Sequence, residues 1–170
     1  VGYYSAAQRP VQLLYVLPTL FAASLFPSLS RLAKEKMDSF KEVLKNAIKI
    51  SLAAAIPITI LGIIFGNQII YLLFGKDYQA ATLSFQILML TILIIFPSAI
   101  IANANLAADQ QKNFIIFSAI GAIGNIILDL LLIPKWGIAG SSLATLLTQI
   151  IANAFIWLKM KKLLASAIKP

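Results

Sequence analysis

Apolar residues in this chain come in long uninterrupted runs. They show neither the alternation of a half-buried strand nor the single stripe of a soluble amphipathic helix. Five runs reach the ~20 residues that a helix needs to cross the hydrocarbon of a bilayer: about 10–29, 50–74, 80–108, 114–133 and 138–158. The connections at 75–79, 109–113 and 134–137 are short, and only 30–49 is longer. There, Ser39 followed by Glu42 reads as a capping box. Phe40, Val43, Leu44, Ala47 and Ile48 then recur at helical spacing beside Lys41, Lys45 and Lys49. That pattern predicts a surface helix in a loop that feeds the second span, or equally a plain N-terminal extension of the span itself. Prolines punctuate the runs at Pro10, Pro18, Pro27, Pro57 and Pro97, and the third run is long enough to tilt or to break at Pro97. The fold expected is an all-α membrane protein, a bundle of five transmembrane helices in a single transmembrane domain.

Composition supports a bilayer as the solvent. The chain is 60% hydrophobic and 12% charged, against about 45–50% and about 25% in soluble domains. It contains no His and no Cys. That removes disulfides, thiolate metal sites, His-based metal centres and Ser-His-Asp triads, and neither a metal nor a cofactor is expected. A net charge of +8 implies nucleic acid only when a basic patch lies on a water-facing surface. Here the positive charges sit between apolar runs, so nucleic acid is not an expected partner and the lipid bilayer is.

Alternating the connections puts eleven Lys and Arg on one side: six within 30–49, Lys112, and Lys159, Lys161, Lys162 and Lys169. Arg9, Lys76 and Lys135 fall on the other. The positive-inside rule then places the first residues outside and the C-terminus in the cytoplasm. The chain begins at Val1 with neither an initiator Met nor a signal peptide. It is therefore expected to be the C-terminal part of a longer protein with at least one upstream span.

Candidate chemistry lies with the few polar groups inside the runs. Asp129 is the only acid within a span, with Asn125 one turn before it on the same face. Charge in hydrocarbon is expensive, so such a residue faces protein or water and marks a site, unless it snorkels to the interface or caps a neighbour. Arg9, with Gln8 and Gln12, opens the first span. It is placed to pair with Asp129, to offer a fixed positive charge to an anionic substrate, or to act as an interfacial anchor. The candidate substrate-binding set is Arg9, Gln12, Asn125 and Asp129. Gln86, Asn103, Asn105, Gln149 and Asn153 are expected to join helices rather than bind ligand. Gly121, Gly124, Gly140, Ala144 and Thr148 have the spacing of close helix contacts in the last two spans. No two acids approach each other within a span, so neither a metal-dependent transferase nor an acid/base hydrolase is expected, and no residue is assigned as catalytic.

Four stretches in order carry a resemblance: Gly2-Tyr3-Tyr4-Ser5-Ala6-Ala7 entering a span, Phe26-Pro27-Ser28-Leu29-Ser30-Arg31-Leu32 leaving it, Leu73-Phe74-Gly75-Lys76-Asp77-Tyr78-Gln79-Ala80-Ala81 at a turn, and Ile133-Pro134-Lys135-Trp136-Gly137-Ile138-Ala139-Gly140 before the last span. Over about residues 1–162 the chain resembles the C-terminal half of the polysaccharide-biosynthesis flippases. These are the O-antigen and lipid-linked oligosaccharide exporters of the multidrug/oligosaccharidyl-lipid/polysaccharide flippase superfamily. The resemblance implies two six-helix lobes around a central cavity, with this segment as the second lobe without its first helix. It further implies alternating-access transport of an undecaprenyl-pyrophosphate-linked oligosaccharide across the cytoplasmic membrane, with the missing N-terminal lobe of the same chain as a partner. Family cavities are typically cationic, and Arg9 is the one candidate here for that charge. Ser141-Ser142 stand where relatives often carry two alanines. A cation-coupled multidrug antiporter of the same superfamily, with Asp129 as the titrating or ion-binding acid, is the alternative. A non-transporting membrane scaffold is a second.

Overall fold

The structure, a computed structural model, describes residues 2–166; Lys169, counted above with the basic C-terminus, lies outside the described residues. Among them every regular element is a helix. Helices α1 (Gly2–Leu14) and α2 (Val16–Glu35) form a rod of 34 residues interrupted at Tyr15. Helix α3 (Met37–Ile64) meets the short α4 (Gly66–Phe74) at Phe65. A 3-10 segment, Lys76–Ala81, leads into α5 (Thr82–Met89) and then α6 (Ile92–Ala107), and this pair is bent by 43°. The last element, α7 (Gln111–Ser166), carries a non-helical residue at Gly137 (φ 56°, ψ −130°), a conformation open to Gly because it has no Cβ.

At Gly137 the chain folds back on itself. Gly140 lies so close to Leu132 that a Cβ placed on it would be 2.3 Å from the Leu132 carbonyl oxygen. Further along, Gly124 faces Thr148, and Asn125 Nδ2 reaches Thr145 Oγ1 at 3.5 Å. As the residue number rises on one arm it falls on the other, so 111–136 and 138–166 run antiparallel. At 1.5 Å per residue each arm is ~40 Å long, more than the ~30 Å of a hydrocarbon core. The α1–α2 rod, α3 and α7 are also apolar enough to cross a membrane, and the bent pair formed by Lys76–Met89 and Ile92–Ala107 passes the same test as one broken span.

Three sequence-based expectations are decided by the structure, the first for the plain extension of the span. Residues 37–49 are the first turns of α3 itself, joined to α2 through the single extended residue Lys36 (φ −147°, ψ 86°). There is no separate surface helix, because Phe40, Leu44 and Ala47 are buried in a core with α2, α6 and the end of α7. The Ser39–Glu42 capping box does not form: Lys36 is the N-cap, without a side-chain cap bond, and Ser39 is already helical. The third run does not break at Pro97, which lies inside α6; it breaks six residues earlier, at Leu90–Thr91.

That break is held by its own Thr91 and by side chains from elsewhere in the bundle. The Thr91 hydroxyl donates to the Leu88 carbonyl, Thr59 Oγ1 donates to the Met89 carbonyl at 3.4 Å, and Tyr15 OH lies 2.6 Å from Thr91 Oγ1. Tyr15 is itself the interruption between α1 and α2, so two helix breaks share one hydroxyl pair. The α3–α4 break is served in the same way: Gln86 Nε2 donates to the Ile63 carbonyl at 2.9 Å. Backbone groups freed from a helix inside a membrane must find protein partners, and these side chains supply them.

Two cores flank the breaks. One collects Ala6, Ala7 and Val11 of α1 with Ala55, Ile70, Phe85, Leu88 and Phe96. The other collects Ala22 and Leu29 of α2 with Phe40, Leu44, Ile100, Ala104, Ile156 and Met160. The many buried alanines fit a protein whose helices associate by close backbone approach, since lipid offers no hydrophobic gain for joining one apolar helix to another. The outward faces carry large apolar side chains, among them Leu72 at 84%, Leu13 at 73% and Leu130 at 72% exposed. An apolar surface that continuous has lipid as its solvent.

Candidate substrate-facing site

Helix α1 meets the folded-back α7 through hydroxyls and an amide. Tyr4 OH lies 3.0 Å from Thr145 Oγ1, and Asn125 Nδ2 donates to the same Thr145 oxygen at 3.5 Å. Thr145 thus ties α1 to both arms of α7. In the sequence Asn125 stands out as a polar residue in an apolar run, whereas Thr145 and the hydroxyl of Tyr4 do not. The signal available was spacing: Thr145 lies one residue beyond Ala144 in the small-residue stripe, and Tyr4 lies inside a stretch noted only for its order.

Asp129 is one turn beyond Asn125 on the same arm, partly buried. Its Oδ1 is fully buried with no hydrogen-bond partner among the described residues. An unmatched carboxylate oxygen inside a membrane helix is destabilising, which is why such residues mark pathways more often than packing. Arg9 and Gln12 are both exposed and share one face of α1. Five residues separate Tyr4 from Arg9, which turns Arg9 about 140° around the helix axis away from the face that meets α7. The Arg9–Asp129 pair weighed from the sequence is accordingly not formed. Among the described residues the one ion pair is Lys41 with Asp38, 3.5 Å apart on the surface. The structure therefore brings Asn125 close to Thr145 and keeps Asp129 beside it, while Arg9 and Gln12 look outward from α1.

The remaining amides act mostly within their own helices. Asn103 donates to the Ala99 carbonyl at 3.0 Å, Asn105 to Ile101 at 2.9 Å, and Asn153 to the carbonyl and side-chain oxygens of Gln149 at 2.7 and 2.8 Å. Only Gln86 reaches another helix, so the expectation that these amides join helices holds for that residue alone. Of the small-residue stripe, Gly124, Gly140 and the buried Ala144 make close contacts, whereas a Cβ on Gly121 would meet nothing within 4 Å. Two apolar grooves of about 500 Å³ open elsewhere on the bundle. One lies between α3, α6 and the second arm of α7, and the other between α1, α3, α4 and α5.

An all-helical chain with several membrane-length helices, breaks sealed by internal polar groups and an apolar exterior is a multi-pass membrane protein. Comparison with known proteins gives the family. Residues 1–169 match the family model described as lipid II flippase MurJ, and the chain belongs to that family. It stands among the flippases of the multidrug/oligosaccharidyl-lipid/polysaccharide superfamily. Similar proteins include a probable flippase, AglR, of Haloferax volcanii, 27% identical over 157 residues that cover 90% of this chain and 33% of that protein. A capsular polysaccharide biosynthesis protein, CapF, of Staphylococcus aureus is 29% identical over 147 residues, covering 81% and 36%. A solved structure titled lipid II flippase MurJ, inward closed conformation, superposes with a TM-score of 0.77 at 26% identity, covering 95% of this chain and 36% of that one. The chain thus spans about a third of the length of these relatives. The family is one of transporters rather than of catalysts.

Proposed function

We propose that this chain is the second-lobe portion of a flippase that moves an undecaprenyl-pyrophosphate-linked oligosaccharide across the cytoplasmic membrane by alternating access. The observation that carries this is the match to a lipid II flippase over 95% of this chain but only 36% of that structure. A single lobe of a two-lobe transporter has that relation to the whole. The missing N-terminal lobe would close the cavity on the face where Arg9 and Gln12 are exposed. Positive charge concentrated in 30–49 and after 158 supports a cytoplasmic C-terminus, with the first residues outside. Flipping changes no covalent bond, so the protein's task is to shelter a polar head from hydrocarbon and to release it on the far side. Arg9 can offer a pyrophosphate two parallel N–H donors, and Gln12 adds an amide on the same face.

Asp129 supports a coupled cycle. Its unpaired buried oxygen, one turn from the Asn125 that meets Thr145, is the start of an oxygen-lined site for H⁺ or a cation. The same observation favours a cation-coupled antiporter of the superfamily as the second reading. In the full-length protein, Arg9→Ala should lower glycolipid export at least tenfold at unchanged expression, with Arg9→Lys recovering part of it. Asp129→Asn should abolish the dependence on an ion gradient. Wild-type export by both Arg9→Ala and Asp129→Asn would remove these residues from the site.

A further inference from the structure

Two grooves on the outside of the bundle share Trp157 and Leu158 in their linings, and end to end they trace a channel along α7. The larger, about 500 Å³, is lined by Leu52 of α3, Pro97 and Ser98 of α6, and Asn153 and Ala154 of α7, and ends at Trp157 and Leu158. The smaller, about 280 Å³, begins at the same Trp157 and Leu158 and continues past Leu44, Ile48 and Leu164 to Lys161. From Ile150 to Leu164 the α7 wall rises ~21 Å at 1.5 Å per residue, somewhat more than the ~15 Å of one leaflet's hydrocarbon. The chemistry changes along it. The deep part is apolar apart from Ser98, which accepts from Trp157 Nε1 at 3.4 Å, and the amide of Asn153, which is turned to its own helix. The shallow end is basic. Lys161 lines it directly, and Lys41 and Lys45 share with Leu44 and Ile48 one face of α3 at i, i+3, i+4 and i+7 spacing. Two acids share that end of α3: Asp38, the exposed partner of Lys41, and Glu42, between Lys41 and Lys45.

We infer that this channel is a binding site for one anionic phospholipid of the surrounding membrane, with its phosphate between Lys161 and the Lys41–Lys45 face and an acyl chain laid along the groove to Ser98. The argument is charge and length together. A neutral lipid gains nothing from the three lysines, and a soluble anion gains nothing from ~21 Å of apolar wall. Basic pockets between helices at the positive side of a membrane protein recognise anionic headgroups in this way. Trp157 lines both parts and is 43% exposed, so it reports on whatever lies there. The site is separate from Arg9, Gln12, Asn125 and Asp129.

The test uses the intact protein in vesicles of neutral phosphatidylcholine carrying a small fraction of tail-brominated phosphatidylglycerol or, in a second set, tail-brominated phosphatidylcholine. Subtracting the emission of a Trp157→Phe variant isolates Trp157. Its quenching should rise at a lower fraction of brominated phosphatidylglycerol than of brominated phosphatidylcholine. Lys161→Gln and Lys45→Gln should each weaken that preference roughly fivefold. Ala154→Leu, which narrows the groove and leaves the lysines, should also reduce it, while Lys112→Gln, on the other arm of α7, should not. Equal quenching by the two lipids would mean ordinary annular contact and overturn the site. An equal effect of Lys112→Gln would mean diffuse attraction rather than a pocket. Relief of quenching by unlabelled undecaprenyl phosphate at far lower fractions than by unlabelled phosphatidylglycerol would give the groove to a polyprenyl lipid and overturn it as well.

Discussion

Glycine positions in α7 separate packing from mere composition. Gly140 lies against the Leu132 backbone, and a methyl there would come within 2.3 Å of a carbonyl oxygen that cannot move without opening the hairpin. Gly140→Ala should therefore destabilise the protein by about 1–3 kcal/mol, as overpacking does, with a lowered melting temperature in detergent. Gly121→Ala has open space around it and should be neutral or stabilising by up to ~1 kcal/mol from helix propensity. If the two variants melted alike, the antiparallel contact of the α7 arms at Gly140 would be wrong. From sequence the two glycines look equivalent, because spacing alone says which residues are small, not which face a backbone. Asn125 and Asp129 were legible as a polar turn in an apolar run. Thr145 and Tyr4 were not, since Thr145 meets Asn125 only through the fold-back at Gly137, and its contact with Tyr4 joins residues 141 apart.

Helix itself was legible, because each apolar run is too long to be a strand. The interruptions were harder to read. Proline marks where a helix loses a donor, yet α6 runs through Pro97 and the chain breaks at Leu90–Thr91, where Thr91 itself, Thr59 of α3 and Tyr15 at the α1–α2 interruption supply partners. A break is placed where its freed carbonyls can be satisfied, and that is a property of the neighbours. The Tyr15–Thr91 pair joins the break in the α1–α2 rod to the break between α5 and α6. Tyr15→Phe and Thr91→Val, alone and combined, should show a coupling energy of about 0.6–1.7 kcal/mol, the range for hydrogen bonds between membrane helices. Additive losses in a thermal-unfolding cycle would show that the two breaks are independent. Similarly, residues 37–49 read equally as a surface helix or as the start of a span. Burial of Phe40 against α2, α6 and α7 decides for the continuous α3, and no local pattern contains that contact.

For the whole molecule, charge distribution predicts how the bundle sits in the membrane. These 170 residues contain no cysteine, so a thiol introduced among them is read against the same protein without it. Lys76→Cys should react with a membrane-impermeant maleimide added to intact cells, and Lys162→Cys should react only after permeabilisation. The reverse pattern would invert the orientation and with it the direction of transport. The family was legible from four ordered stretches of sequence, and the match over residues 1–169 agrees with them. A substrate cavity was not, because the chain covers only about a third of its relatives' length. The most direct measurement is translocation itself. The full-length protein would be reconstituted into vesicles with a lipid-linked oligosaccharide in both leaflets, and the fraction open to an external, impermeant sugar-modifying enzyme followed over time. The account predicts that this fraction climbs from about half towards completeness, and that Arg9→Ala slows the climb. A fraction that stays at half with folded, correctly oriented protein would contradict the flippase assignment and leave a scaffold in its place.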